Sequence, residues 1–356
     1  MKKFFECLLP VTACNLECEY CYIIQRDGRK MKVPKPKYSV EHMVNALSRK
    51  RLGGICFFSI CGGGETLLPE YLLEFVKGLL LEGHYVNITT NGTLTKRFLA
   101  LEEFPKDLLE HLHISFSFHY LELKNRGLID VFFDNVQRMK RAGCSILVQI
   151  NLYDGYLPYI EEIKEICKEK VGAWPQVAAT RKEEAEGIQY YTRLSSEEYF
   201  EIGKKFESPL FDFTHMNFNK KRREFCYAGV WSYTLDLYNG NLKSCYAEPV
   251  IQNIFEDISL PIKQKVVGHG CKSPFCMNSS HFMSMGIIPE IDTPSYAELR
   301  NREEAGWYTK TMKDFFAKRL YMDNPSIGKV EKVKKNVIVF CQKIKDFMKY
   351  KVVKKY

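Results

Sequence analysis

Short apolar runs alternate with helical stripes through the first half of the chain. Residues 4–11, 55–60, 85–90, 112–118, 145–152 and 176–180 read as strands, each a run of apolar and β-branched positions. Between them the apolar period switches to that of a helix. Leu72, Phe75, Val76 and Leu79 share one face, with Pro69 placed to open the helix. Leu128, Phe132, Val136 and Met139 form a second stripe, and Ile160, Ile163 and Ile166 part of a third. Six such β/α units predict a parallel sheet with right-handed crossovers, in an α/β chain. They suit a partial (β/α)6 TIM-like barrel; a doubly wound sheet is the competing topology. Either fold puts its chemistry at the carboxyl ends of the strands.

The pattern changes after Arg181. Residues 182–225 are charged and aromatic, with helical stretches, and residues 226–282 are turn-rich and carry cysteines. Within them, 233–238 and 242–246 read as a hairpin turning at Asn239-Gly240. The chain ends on a stretch with Val333, Val337, Phe340, Ile344 and Phe347 on one face and lysines elsewhere. That pattern fits a helix packed on the domain, or an interfacial helix touching acidic lipid or a partner. The predicted division is a barrel over residues 1–215, a cysteine-rich unit over 216–290, and a basic helical segment over 291–356.

Composition narrows the class. With 356 residues, 46% of them hydrophobic, the chain can bury a large core. A net charge of +9 suits an anionic partner without selecting one. Thirteen cysteines, an odd number in a large chain, argue against a secreted disulfide scaffold and for thiolate ligands in a reducing cytoplasm. Lys2, Lys3 and the run ending at Cys14 loosely match a lipoprotein signal, but Glu6 and Pro10 interrupt it. No apolar run is long enough to span a bilayer. Cys7, Cys56, Cys144, Cys167 and Cys341 sit in apolar or helical patterns and are expected in the core.

Two clusters of residues carry chemistry. Cys14, Cys18 and Cys21 lie within eight residues, directly after the first strand. A cubane has four irons, so three cysteines leave one iron free to bind a small molecule. A structural zinc site needs four ligands, and no fourth Cys or His lies nearby. The second strand ends in Cys61-Gly62-Gly63-Gly64-Glu65. Its glycines allow close backbone approach, and Glu65 would accept from a cationic amine. Alone, such a turn is a weak signal.

Together these motifs resemble the radical S-adenosylmethionine superfamily: C-x3-C-x2-C after strand one, an aromatic before the third cysteine, and Gly-Gly-Glu after strand two. The resemblance implies a 4Fe–4S cluster on Cys14, Cys18 and Cys21, with S-adenosylmethionine on the open iron. It implies that Gly63, Gly64 and Glu65 meet the amine of that cofactor, and that the backbone near Tyr20 lies against its adenine. Asn91, in Thr89-Thr90-Asn91-Gly92, and Ser117 match further cofactor positions. Gln149 and Asn151 are weaker candidates. His119 stands where many relatives have Asp, and either orients substrate or is structural. Cys61 is a candidate hydrogen-atom donor, as in radical epimerases, or a packing residue.

Cys226, Cys245, Cys271 and Cys276 resemble the twitch or SPASM-type extension of the same superfamily. They imply a second, auxiliary 4Fe–4S cluster with four protein ligands; zinc is the alternative. The expected activity is reductive cleavage of S-adenosylmethionine to a 5′-deoxyadenosyl radical, then oxidation or epimerisation of a substrate. The cluster motif begins at Cys14, which leaves no room for the leading peptide-binding domain of many peptide maturases. That tilts the expectation toward a sugar-like, small polar or carrier-bound substrate, with a ribosomal peptide as the alternative. An external one-electron reductant such as flavodoxin or ferredoxin is implied. A zinc-stabilised nucleic-acid-binding protein would leave residues 62–65 without a use, and a simple electron carrier would need four ligands at every cluster.

Overall fold

The computed structural model describes residues 1–184, 187–328, 330, 332–341 and 344. Six parallel strands follow one another in sequence order: β1 (Phe4–Leu9), β2 (Phe57–Gly62), β3 (Tyr85–Thr90), β4 (Leu112–Ser117), β5 (Ser145–Leu152) and β6 (Gln176–Ala179). The order never reverses, so there is no switch point and the doubly wound alternative falls. The result is a partial TIM-like barrel. β1 stops before Pro10, whose missing N–H cannot join the ladder. β2 runs further than its apolar run, through Cys61 and Gly62.

Amphipathic helices pack outside the sheet: α1 (Val40–Ala46), α2 (Leu72–Leu81), α3 (Thr95–Glu102), α4 (Tyr120–Asn125), α5 (Ile129–Ala142) and α6 (Ile160–Val171). α5 buries Phe132, Val136 and Met139, the stripe read from the sequence, and ends on Gly143 in the left-handed region at φ +104°. Beyond β6 lies a two-stranded ribbon, β7 (Arg181–Glu184) and β8 (Gly187–Tyr190), then α7 (Ser196–Lys204) and α8 (Pro209–Asn217).

The cysteine-rich segment continues the barrel sheet. β9 (Ser232–Asp236) pairs parallel to β1, then antiparallel to β10 (Asn241–Lys243), which pairs with β11 (Val250–Asn253). The hairpin predicted at Asn239-Gly240 is present, with Gly240 at φ +79°.

Residues 279–317 fold back onto the barrel rather than trailing from it. α9 (Ser279–Phe282), α10 (Tyr296–Arg300) and α11 (Lys310–Ala317) cover the amino-terminal ends of the strands. Phe4 meets Phe282, Phe57 meets Phe316, and Tyr85 stacks on Phe315 at 3.7 Å. Above this floor is a buried polar layer. Asn87 donates to Ser59 (3.3 Å) and accepts from Ser115 (2.8 Å), with His113 Nδ1 at 2.7 Å. One end of the barrel is thus closed, and the carboxyl ends of the strands hold the site.

Candidate functional site

Pro10 ends β1 and turns the chain into the loop carrying Cys14, Cys18 and Cys21. The loop is clamped to the end of β2. Gly64 N–H donates to Val11 O (2.8 Å) and Glu65 N–H to Ala13 O (2.9 Å). A Cβ on Gly64 would lie 1.9 Å from Ala13 O, and one on Gly62 would lie 2.3 Å from Val11. The glycines are therefore required by close approach to the cysteine loop itself.

Glu65 is buried and binds protein groups. Its carboxylate accepts from Leu67 N–H (2.9 Å), Thr90 Oγ1 (2.7 Å) and Asn91 N–H (2.8 Å). Three of its roughly four acceptor sites are thus filled. Burial pushes its carboxyl up from the usual carboxylate range, and those hydrogen bonds oppose the shift. It ties the end of β2 to the turn after β3. Asn91 extends the tie, donating to Asn15 Oδ1 (2.8 Å) and toward Cys14 Sγ (3.8 Å).

Tyr20 turns its ring inward. Its hydroxyl meets His119 Nδ1 at 2.6 Å and Tyr156 OH at 3.2 Å, and its ring lies 4.7 Å from Tyr153. His119 thus has Tyr20 as its partner. Burial lowers the His119 pKa to about 4, so the imidazole is neutral. Ser117, nearly buried at the end of β4, stands opposite Gln149 on β5.

The second cysteine set converges from distant segments. Cys226, Cys245, Cys271 and Cys276 line one pocket, walled by Val267, Phe275, Phe282 and Ile288. Cys226 and Gly268 exchange backbone hydrogen bonds, which fixes one wall. Lys221 holds the loop above by donating to the carbonyls of Cys271 (2.8 Å) and Ser273 (2.5 Å).

Three and four cysteine thiols are donor types that an iron–sulfur cluster takes. Among the described residues no group of three or more His, Cys, Asp or Glu side chains could hold a metal ion. A cubane spreads its ligands over separate irons, so its thiolates need not converge on one point. Burial and neighbouring thiolate charge push the Cys18 thiol up to about 12, and Cys245 and Cys276 are raised in the same way. A positively charged iron centre would offset both causes and hold the sulfurs as thiolates. None of the thirteen thiols is paired in a disulfide. Cys7, Cys56, Cys144 and Cys167 are in the core; Cys341, expected there, is exposed, on an outward face of the C-terminal helix.

Sequence reasoning missed a buried group around Cys61. Glu6 on β1 is buried, with Oε1 3.9 Å from Cys61 Sγ and Oε2 3.1 Å from His281 Nδ1. Tyr22 lies within electrostatic reach of both Cys61 and Cys21, and Tyr246 of Glu6, Cys61 and Cys245. Asn278, at the wall of the four-cysteine cavity, bonds the Tyr246 hydroxyl at 3.3 Å. Burial, then the Glu6 charge, pushes the Cys61 thiol up to about 12, so it keeps its hydrogen at neutral pH. Burial lowers the His281 pKa and leaves that ring neutral. The available signal is Glu6 itself, an acid inside an otherwise apolar strand.

Residues 8–169 match the Radical SAM superfamily. No curated protein matches the chain in sequence. Among solved structures, Streptococcus suis SuiB aligns at TM-score 0.51 and 14% identity, over 74% of this chain and 66% of SuiB. SuiB bound to its precursor peptide SuiA aligns at 0.52 and 16%, over 72% and 63%. The chain therefore spans just under two thirds of SuiB. Polyhistidine-tagged anSMEcpe with bound AdoMet aligns at 0.51 and 17%, over 72% of this chain and 76% of anSMEcpe. At these identities the likeness is one of fold. No helix among the described residues is long and apolar enough to cross a membrane.

Proposed function

We propose that residues 8–169, which match the Radical SAM superfamily, act as a radical SAM domain and that this chain oxidises or epimerises a small polar or carrier-bound substrate, sugar-like in class. The observation that carries the reading is the buried contact of Glu6 with Cys61 and His281, with Tyr22 and Tyr246 within electrostatic reach of Cys61 and of one cysteine from each set. Cys14, Cys18 and Cys21 would hold the first 4Fe–4S cluster, and Cys226, Cys245, Cys271 and Cys276 an auxiliary one. Together with S-adenosylmethionine, the first cluster would supply a 5′-deoxyadenosyl radical able to take a hydrogen atom from an unactivated C–H bond.

The protein's own groups then do three things. The clamp through Gly64, Glu65 and Asn91 fixes the cysteine loop against the ends of β2 and β3. His119 and Tyr156 keep Tyr20, the loop's aromatic residue, in one orientation. Glu6 accepts a proton from a substrate hydroxyl, held in place by His281 Nδ1–H, while Cys61 carries an S–H at the same position. Glu6 suits net oxidation, and Cys61 suits return of a hydrogen atom in epimerisation. An external flavodoxin- or ferredoxin-like reductant, in a reducing cytoplasm, completes the scheme.

A peptide substrate is the second reading, favoured by the fold shared with SuiB, which has been solved with SuiA. The test is anaerobic reconstitution followed by assay for 5′-deoxyadenosine from S-adenosylmethionine and dithionite. The wild type should form it, and replacement of Cys14, Cys18 and Cys21 by Ala should abolish it. A wild type loaded with iron that forms none would refute the reading.

A further inference from the structure

The C-terminal helix meets the body of the protein with its polar side. Over residues 332–341 it is helical, and Lys332, Lys335 and Val339 are the half-buried positions. The Lys332 ammonium lies over the Phe225 and Tyr227 rings at 5.0 and 5.4 Å. Lys335 and Val339 lie against Gly268 and Gly270. The apolar side faces outward. Val330, Val333, Val337, Ile338, Phe340 and Ile344 are 40–70% exposed. Val330, Val333, Val337, Phe340 and Ile344 recur every three or four residues, a stripe of about 21 Å at 1.5 Å per residue. Phe347, expected on the same face, lies outside the described residues.

Charge identifies what covers this stripe. Residues 329–356 hold ten lysines against two acids, whereas residues 1–328 are nearly balanced at forty-two bases to forty-one acids. Almost all of the chain's net charge of +9 thus lies in the segment that bears the exposed stripe. A second copy would bring the same lysines, Lys334 among them, against one another at the margins of the seam, where a helical pair needs opposite charges. A bilayer with anionic headgroups satisfies both features, taking the apolar side chains at the acyl boundary and the lysines among the phosphates.

We propose that the C-terminal helix docks this protein on an anionic membrane surface through Val333, Val337 and Phe340, with the neighbouring lysines on the headgroups. The body contacts of the helix are at Phe225, Gly268 and Gly270, beside Cys226 and Cys271, so docking places the four-cysteine segment next to the bilayer. The inference does not depend on the proposed reaction.

Co-sedimentation of the full, iron-reconstituted chain with lipid vesicles tests it. Binding to phosphatidylcholine vesicles containing phosphatidylglycerol is expected, with little binding to pure phosphatidylcholine and weakening by added salt. Val337→Glu with Phe340→Glu should weaken binding about tenfold or more, while Leu81→Glu, at an exposed position on α2, should leave it unchanged. Both positions in the double variant are exposed, and unchanged iron content and circular dichroism show that the fold is kept. Failure to bind anionic vesicles, equal binding to neutral ones, or binding unaffected by the double variant overturns the proposal. So does a salt-insensitive dimer that the double variant dissolves without any vesicle binding, which would put a second copy on the stripe.

Discussion

Glu6 sets the chemistry available at Cys61. Its carboxylate is 3.9 Å from the sulfur, and its charge adds to burial in keeping the thiol protonated. Glu6→Gln removes that charge, so the Cys61 pKa falls and its thiolate fraction rises at mildly alkaline pH. Alkylation of Cys61 by iodoacetamide, followed by peptide mass spectrometry, should be a few-fold faster in Glu6→Gln than in the wild type. An unchanged rate would mean that the two groups do not interact. Cys14, Cys18 and Cys21 were legible as candidates because their spacing is a local signal; Cys226, Cys245, Cys271 and Cys276 are spread over 51 residues and were singled out by resemblance alone. Glu6 and His281 were not, because they are 275 residues apart and only the closed barrel brings them together.

At the scale of elements, the turn after β2 works as a clip on the cysteine loop. Gly64→Ala would place a methyl group 1.9 Å from Ala13 O, so the loop must move. The cost is about 1–3 kcal/mol of overpacking. Iron should be lost from the first cluster site while the four-cysteine site keeps its own, as iron analysis of the reconstituted variant would read. Strands β1–β6 and the stripe of α5 were legible because period and burial agree there. α10 and α11 fall in the segment read as helical, but the place of α9, α10 and α11 beneath the barrel was not legible, since it is set by packing on Phe4, Phe57 and Tyr85. The division at residue 216 follows a change in composition, yet β9 hydrogen-bonds to β1 and extends the same sheet.

The whole molecule joins both cysteine sets to one nine-stranded sheet, among the described residues, and to one continuous core. Its stability should be acid-sensitive. Burial lowers the pKa values of His84, His113, His119 and His281. The unfolded chain therefore binds protons near pH 6.5 that the folded chain does not bind until lower pH. Stability is full above that value and is lost as pH falls through it toward the folded pKa values. The urea midpoint should drop between pH about 7.5 and about 5, before most carboxylates titrate. Under the proposed function, two separate cysteine sets hold two clusters. Iron content after anaerobic reconstitution tests it most directly: about eight irons per chain, and about four in each variant lacking one complete cysteine set. A wild type with about four irons and one zinc, or a Cys226, Cys245, Cys271 and Cys276 variant that keeps all its iron, would contradict it.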